Sequence, residues 1–134
     1  MRLEITRRAD LAVRAMVVLS RRPGSVKSAD LAASLGTTSG FVPQVMGPLV
    51  RAGWVRSDPG PRGGYRPLVA VRDLTVLQVI EAVDGPTDDG HCVVANGPCA
   101  GRQPCALHAA WAAARRELLA TLGAMTLTAI EAPG

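Results

Sequence analysis

Four aromatic side chains, Phe41, Trp54, Tyr65 and Trp111, are all that this chain of 134 residues has for filling a core with large rings. Yet 48% of its residues are hydrophobic, which excludes general disorder. The interior must therefore come from Ala, Val, Leu and Met, a set that fits between helices better than between sheet faces. The length suits one domain, or a compact domain with an appended arm. A core of such small side chains buries little area per residue, so a second subunit would add to it.

Periodicity places the helices. In "RADLAVRAMVVLSRR", Leu11, Ala15, Val18 and Leu19 recur at i, i+4, i+7 and i+8, one face of a helix. After the turn "PGSVK", Ser28 reads as an N-cap for "ADLAASL", and Gly36 closes that short helix. A third helix, "GFVPQVMGPLVRA", turns Val42, Val45, Met46, Leu49 and Val50 inward. Two short helices across a tight turn, with another in front, are the helix-turn-helix arrangement. Pro43 fits a first turn if the helix begins at Ser39 or Gly40, while Pro48 is interior and should bend it.

"GWVRSDPGPRGGYRPLV" then reads as a hairpin, "WVRS" and "YRPL", with a Pro/Gly tip and Arg62 at its apex. Pro67 marks the second strand as an edge. A glycine-bared loop with one arginine can enter a narrow minor groove, so behind a helix-turn-helix this hairpin is read as a wing. "TVLQVIEAVDGP" carries a capping box, Thr75 with Gln78, and ends at Gly85–Pro86. From about Cys105 one long helix follows, whose Leu107, Trp111, Ala114, Leu118, Leu122 and Met125 form the seam of a helix pair. "TLTAI" reads as a short docking segment behind it.

Charge divides the chain. Residues 1–66 hold eleven Lys and Arg against four Asp and Glu, net +7, while residues 67–134 hold four against seven, net −3. Such asymmetry predicts a nucleic-acid face on the N-terminal half. Ser39, Gln44 and Arg51 around the third helix, with Arg62 and Tyr65 in the wing, are the candidate DNA contacts; Gln pairs bidentately with adenine and Ser serves base or phosphate. Arg7, Arg8 and Lys27 are phosphate candidates. No apolar run approaches a membrane span and no signal peptide is legible, so the expected location is cytoplasmic, with no membrane partner.

Every cysteine falls in "GHCVVANGPCAGRQPCALHAAW": Cys92, Cys99 and Cys105, with His108 three positions on. Buried structural cysteines would be scattered along core faces instead. An odd count with no export signal argues against a disulfide scaffold. Thiolates are soft ligands, and three from one loop can converge on a metal. The spacing lacks the tight pairs of zinc fingers or ferredoxins, so by itself it leaves the metal open, zinc included. His91 adjoins Cys92 and is an alternative ligand or an exposed loop residue. A zinc deaminase would need His-x-Glu ahead of closely spaced cysteines, and "HCV" lacks the glutamate. No other catalytic set is present, so the chain is not read as an enzyme.

Taken together these motifs resemble the cluster-sensing winged-helix repressors of bacteria, the Rrf-two type that includes IscR, NsrR and RirA. The resemblance rests on the opening "MRL", "LAVRAM", "LVRAGWV", "GPRGGYR", "VIEAVDGP" and the three-cysteine loop, and so covers nearly the whole length. It implies a mostly α fold, a winged helix-turn-helix with a small β-hairpin wing and a long C-terminal dimerisation helix. Residues 1–72 would bind DNA; residues 73–134 would carry the dimerisation helices and, at about 86–105, the cluster loop. It implies a homodimer on a palindromic double-stranded operator, with an iron–sulfur cluster on Cys92, Cys99 and Cys105 tuning affinity. His108 sits where two-iron (2Fe-2S) members supply a histidine. Asp10 sits where four-iron (4Fe-4S) members supply a carboxylate from the other subunit, with Arg14 one turn on. Pro43 replaces the glutamate of IscR-like recognition helices, which unsettles any transfer of operator sequence. From the residues alone, thiol oxidation or structural zinc on the same DNA-binding fold stays open beside the cluster.

Overall fold

The structure is a computed structural model that describes residues 5–87 and 106–130. Among the described residues five helices and one antiparallel hairpin follow in order: α1 (Arg7–Ser20), α2 (Ser28–Leu35), α3 (Val42–Arg51), β1 (Val55–Asp58), β2 (Gly64–Pro67), α4 (Val76–Asp84) and α5 (His108–Ala124). Short 3-10 turns lie at Val71–Asp73 and Leu127–Ala129. The mostly helical winged architecture expected from the sequence is the one observed.

Helix α1 is the axis of the core. Nine of its 14 residues are buried, from Ala9 to Leu19, so it is covered on nearly every side rather than along the single face its periodicity suggested. The reason is tertiary: α2, α3, α4 and β2 all pack against it. Thr6 caps it, its hydroxyl accepting from the Ala9 amide at 3.1 Å.

Gly36 ends α2 in the left-handed conformation, φ +69°, as the sequence required. Ser28 is not its N-cap: Lys27 holds that position, with no side-chain bond, and Ser28 is the first helical residue. Helix α3 begins at Val42, two or three residues later than expected, which puts Pro43 in the first turn where a missing N–H costs nothing. It runs unbroken through Pro48, whose ring is buried beside Val45, Met46 and Leu49. Apolar burial there offsets the lost backbone bond.

The hairpin is shifted by one residue in each strand, pairing Val55 with Pro67 and Asp58 with Gly64. Strand β2 is not a free edge, because Val26 joins it from the other side. Helix α4 has the expected capping box: Thr75 Oγ1 accepts from the Gln78 amide at 3.1 Å and Gln78 Oε1 from the Thr75 amide at 2.9 Å. Its Val76, Val79, Ile80 and Val83 are buried against the same core.

One cluster of buried apolar side chains joins α1, α2, α3, both strands and α4 to Leu127. The chain after α5 returns to the start of α4, where Val76 donates to the Met125 carbonyl at 2.8 Å and Leu127 to the Leu74 carbonyl at 3.0 Å. Leu127 is thereby fully buried, the docking role expected of "TLTAI". Helix α5 itself starts at His108, not at Cys105, and none of its residues is buried. Of its seam, Trp111, Leu118 and Leu122 are half-buried while Leu107 and Ala114 are exposed. Among the described residues no helix is long and apolar enough to cross a membrane.

Candidate nucleic-acid interface

Helix α3 turns its apolar side into the core and leaves Pro43, Gln44 and Arg51 exposed, with Ser39 exposed in the turn before it. Three of the expected contacts are therefore open to solvent on this helix-turn-helix. Its ten residues contain just two polar side chains, Gln44 and Arg51. Arg51 is further shaped by Gly47. A Cβ on Gly47 would meet Arg51 Nη1 at 3.2 Å, so the guanidinium lies back along the helix over bare backbone.

The wing is fastened to the helix-turn-helix by main chain. Val26 donates to the Tyr65 carbonyl at 2.9 Å, and Tyr65 to the Val26 carbonyl at 2.8 Å. Gly64 makes this approach possible, since a Cβ there would sit 2.6 Å from the Val26 oxygen. Tyr65 is only 9% exposed and belongs to the core, so its ring braces the wing from within. Arg62 stands exposed at the tip, where a Cβ on the neighbouring Gly63 would overlap the Asp58 carbonyl oxygen. A cleft of about 430 Å³ separates this tip from the start of α2, bringing exposed Lys27 opposite Pro59, Gly60 and Pro61.

Two cations escaped the sequence reading. Arg56 and Arg66 are direct cross-strand partners on the exposed side of the hairpin. Like charges so placed repel each other, a cost that an anionic partner would remove. Asp58 relieves part of it, accepting from Arg56 Nε at 3.0 Å. Strand alternation puts Arg56 and Arg66 on the side opposite Val55 and Tyr65, and the packing turns those two inward.

The phosphate candidates on α1 divide. Arg7 is exposed, but Arg8 donates to the Val83 carbonyl at 2.9 Å and so closes the C-terminal end of α4. The same corner holds a second tie. Asp84 accepts from the Thr6 amide at 3.1 Å and from the Thr6 hydroxyl at 2.6 Å. Glu81 accepts from the Thr87 amide at 2.8 Å, fixing the chain as it leaves α4.

Of the candidate metal ligands, Cys92, Cys99 and Cys105 lie outside the described residues, as does His91. His108 is the exposed first residue of α5. Asp10 lies in the first turn of α1 and accepts from Arg14 Nε at 3.2 Å. Among the described residues no three His, Cys, Asp or Glu side chains are gathered.

The sequence matches, over residues 5–132, the family described as "Rrf2: Iron-dependent Transcriptional regulator". The HTH-type transcriptional regulator IscR of Klebsiella pneumoniae is 32% identical over 127 residues, 93% of this chain and 77% of that protein. IscR of Aliivibrio salmonicida is 34% identical over 111 residues, covering 81% of this chain and 66% of its own length. Among solved structures, CymR, the global cysteine regulator of B. subtilis, superposes with a TM-score of 0.75 at 21% identity, covering 95% of both chains. IscR of T. potens gives 0.71 at 22% identity, over 94% of this chain and 84% of that one.

Proposed function

The chain belongs to the Rrf2 family of DNA-binding transcriptional regulators, and from that premise we propose a homodimeric repressor whose grip on a palindromic operator is set by an iron–sulfur cluster on Cys92, Cys99 and Cys105. One observation carries the reading. The exposed polar side chains of α3 and the arginines of the wing belong to the helix-turn-helix and its hairpin, while all three cysteines come later in chain order, between α4 and α5. Reader and sensor are thus separate parts of one chain.

The donor set fits such a group in its chemistry: three soft thiolates, with an imidazole at His108 or a carboxylate at Asp10 to complete it. A bound cluster supplies a centre that iron supply, nitric oxide or oxidation can build, strip or alter. The chain's own part is transmission. Asp84 and Glu81 stand at the end of α4 where the cysteine-bearing stretch begins, and Asp84 holds Thr6 at the start of α1. A displacement at that corner reaches α1, and through it α2 and α3, which pack on it. Little energy is required, since a tenfold change in operator affinity needs about 1.4 kcal/mol of differential binding.

The test is anaerobic purification followed by a visible spectrum, iron and sulfide content, and duplex binding with and without the chromophore. His108→Ala and Asp10→Ala are measured alongside. A coloured protein whose DNA affinity changes on loss of iron supports the proposal, and the variant that shifts the spectrum identifies the fourth ligand. A colourless, iron-free protein that binds duplex normally overturns it and leaves the three cysteines to thiol chemistry or zinc.

A further inference from the structure

Gly47 occupies a poor place for glycine. It lies within α3, where only proline is a worse helix former, and Pro48 follows it directly. No close backbone contact accounts for it. The three atoms nearest to where its Cβ would stand all belong to the Arg51 guanidinium: Nη1 at 3.2 Å, Cζ and Nη2 at 3.8 Å. The missing side chain makes room for one thing, the planar head of an arginine one turn further on. Helical side chains lean toward the N-terminus, so Arg51 reaches back over residue 47 by the ordinary geometry of the helix. Gln44, Gly47 and Arg51 then form one strip at i, i+3 and i+7.

We infer that Gly47 is a specificity-determining position: it seats the Arg51 guanidinium on the outer face of α3 beside Gln44, so that the pair reads adjacent bases in the major groove, guanine by Arg51 and adenine by Gln44. The inference rests on α3 being the recognition helix of the proposed DNA-binding dimer. Three features support it. Arg51 is the one charged residue of α3, so base reading by this helix has no other cation to use. A guanidinium offers the bidentate fork that matches guanine O6 and N7, provided its plane is held. Laid along the helix it stands over the middle of α3, instead of extending past the C-terminal end toward the phosphates. An alanine at residue 47 would push the guanidinium by a few tenths of an ångström, whereas the two γ-carbons of valine would fill its seat.

The experiment uses the full chain. Preferred duplexes are selected from a randomised library with the unsubstituted protein. Equilibrium affinities for the best duplex and its single-base-pair variants are then measured for Gly47→Ala, Gly47→Val, Arg51→Ala and the Gly47→Val/Arg51→Ala double variant. The expected result is a fixed G·C pair in each half-site whose replacement costs the unsubstituted protein roughly tenfold or more in affinity. That discrimination falls partly in Gly47→Ala and almost wholly in Gly47→Val, while the melting temperatures hold or rise. In the Arg51→Ala background Gly47→Val has no further effect, a coupling that a merely structural glycine would not produce. Undiminished discrimination by Gly47→Val, or an equal loss whether or not Arg51 is present, overturns the inference while leaving the DNA-binding reading in place. Failure of the unsubstituted protein to select any duplex overturns both, and is seen without any variant.

Discussion

Replacing Gly64 by alanine should detach the wing from the helix-turn-helix, and the size of the effect follows from two separate terms. Gly64 has φ +141°, a conformation that an L side chain adopts at a cost of about 1–3 kcal/mol. Its new Cβ would also lie 2.6 Å from the Val26 carbonyl oxygen and 2.8 Å from the carbonyl carbon, so the backbone must separate. Separation breaks the two bonds between Val26 and Tyr65, worth roughly 1 kcal/mol each. The expected loss is about 3–5 kcal/mol, a large share of the roughly 5–15 kcal/mol typical of a domain. Gly60→Ala is the internal control. It lies in the same hairpin with φ +90°, but nothing stands within 4 Å of its Cβ position. It should therefore lose only the conformational term. Urea unfolding followed by circular dichroism measures both variants, and the difference should be about 2 kcal/mol, or roughly 5–10 °C in Tm. Equal losses for Gly60→Ala and Gly64→Ala would refute the claim that close approach to Val26 holds the wing in place.

Leu127→Ala should destabilise the fold by about 2–5 kcal/mol, because a fully buried leucine is lost where the segment after α5 is pinned to α4. A loss below about 1 kcal/mol in urea unfolding would mean the docked segment contributes little. Arg62→Ala should leave stability within about 0.5 kcal/mol, since the side chain is exposed. It should also lower the salt dependence of duplex binding by about one unit of slope if the tip contacts the DNA backbone. An unchanged slope would remove Arg62 from the interface.

Much of the architecture is local and was legible in the sequence. The Gly36 terminus of α2, the Thr75–Gln78 capping box, the apolar side of α3 and the glycine-rich hairpin each depend on a few neighbouring residues, and short-range backbone preferences suffice to write them. The basic N-terminal half and the gathering of three cysteines are likewise properties of composition and spacing. The boundaries were less legible. Ser28 resembled a cap but is helical, and α3 and α5 begin later than their periodicity suggested, because a helix end depends on what the preceding turn packs against.

What the tertiary structure alone decided are the pairings between residues far apart in the chain. Thr6 with Asp84 and Arg8 with Val83 are separated by 78 and 75 residues, and neither pair has a sequence signature. Tyr65 shows the same limit within a motif that was correctly read. Strand alternation states that Tyr65 and Arg66 face opposite ways, but only the packing of β2 against α1 and Val26 determines which way is inward. That packing turned the tyrosine into a core residue and left Arg66 outside, facing Arg56. A local pattern fixes the period of a structure, and the choice of its phase waits for the surface it packs on.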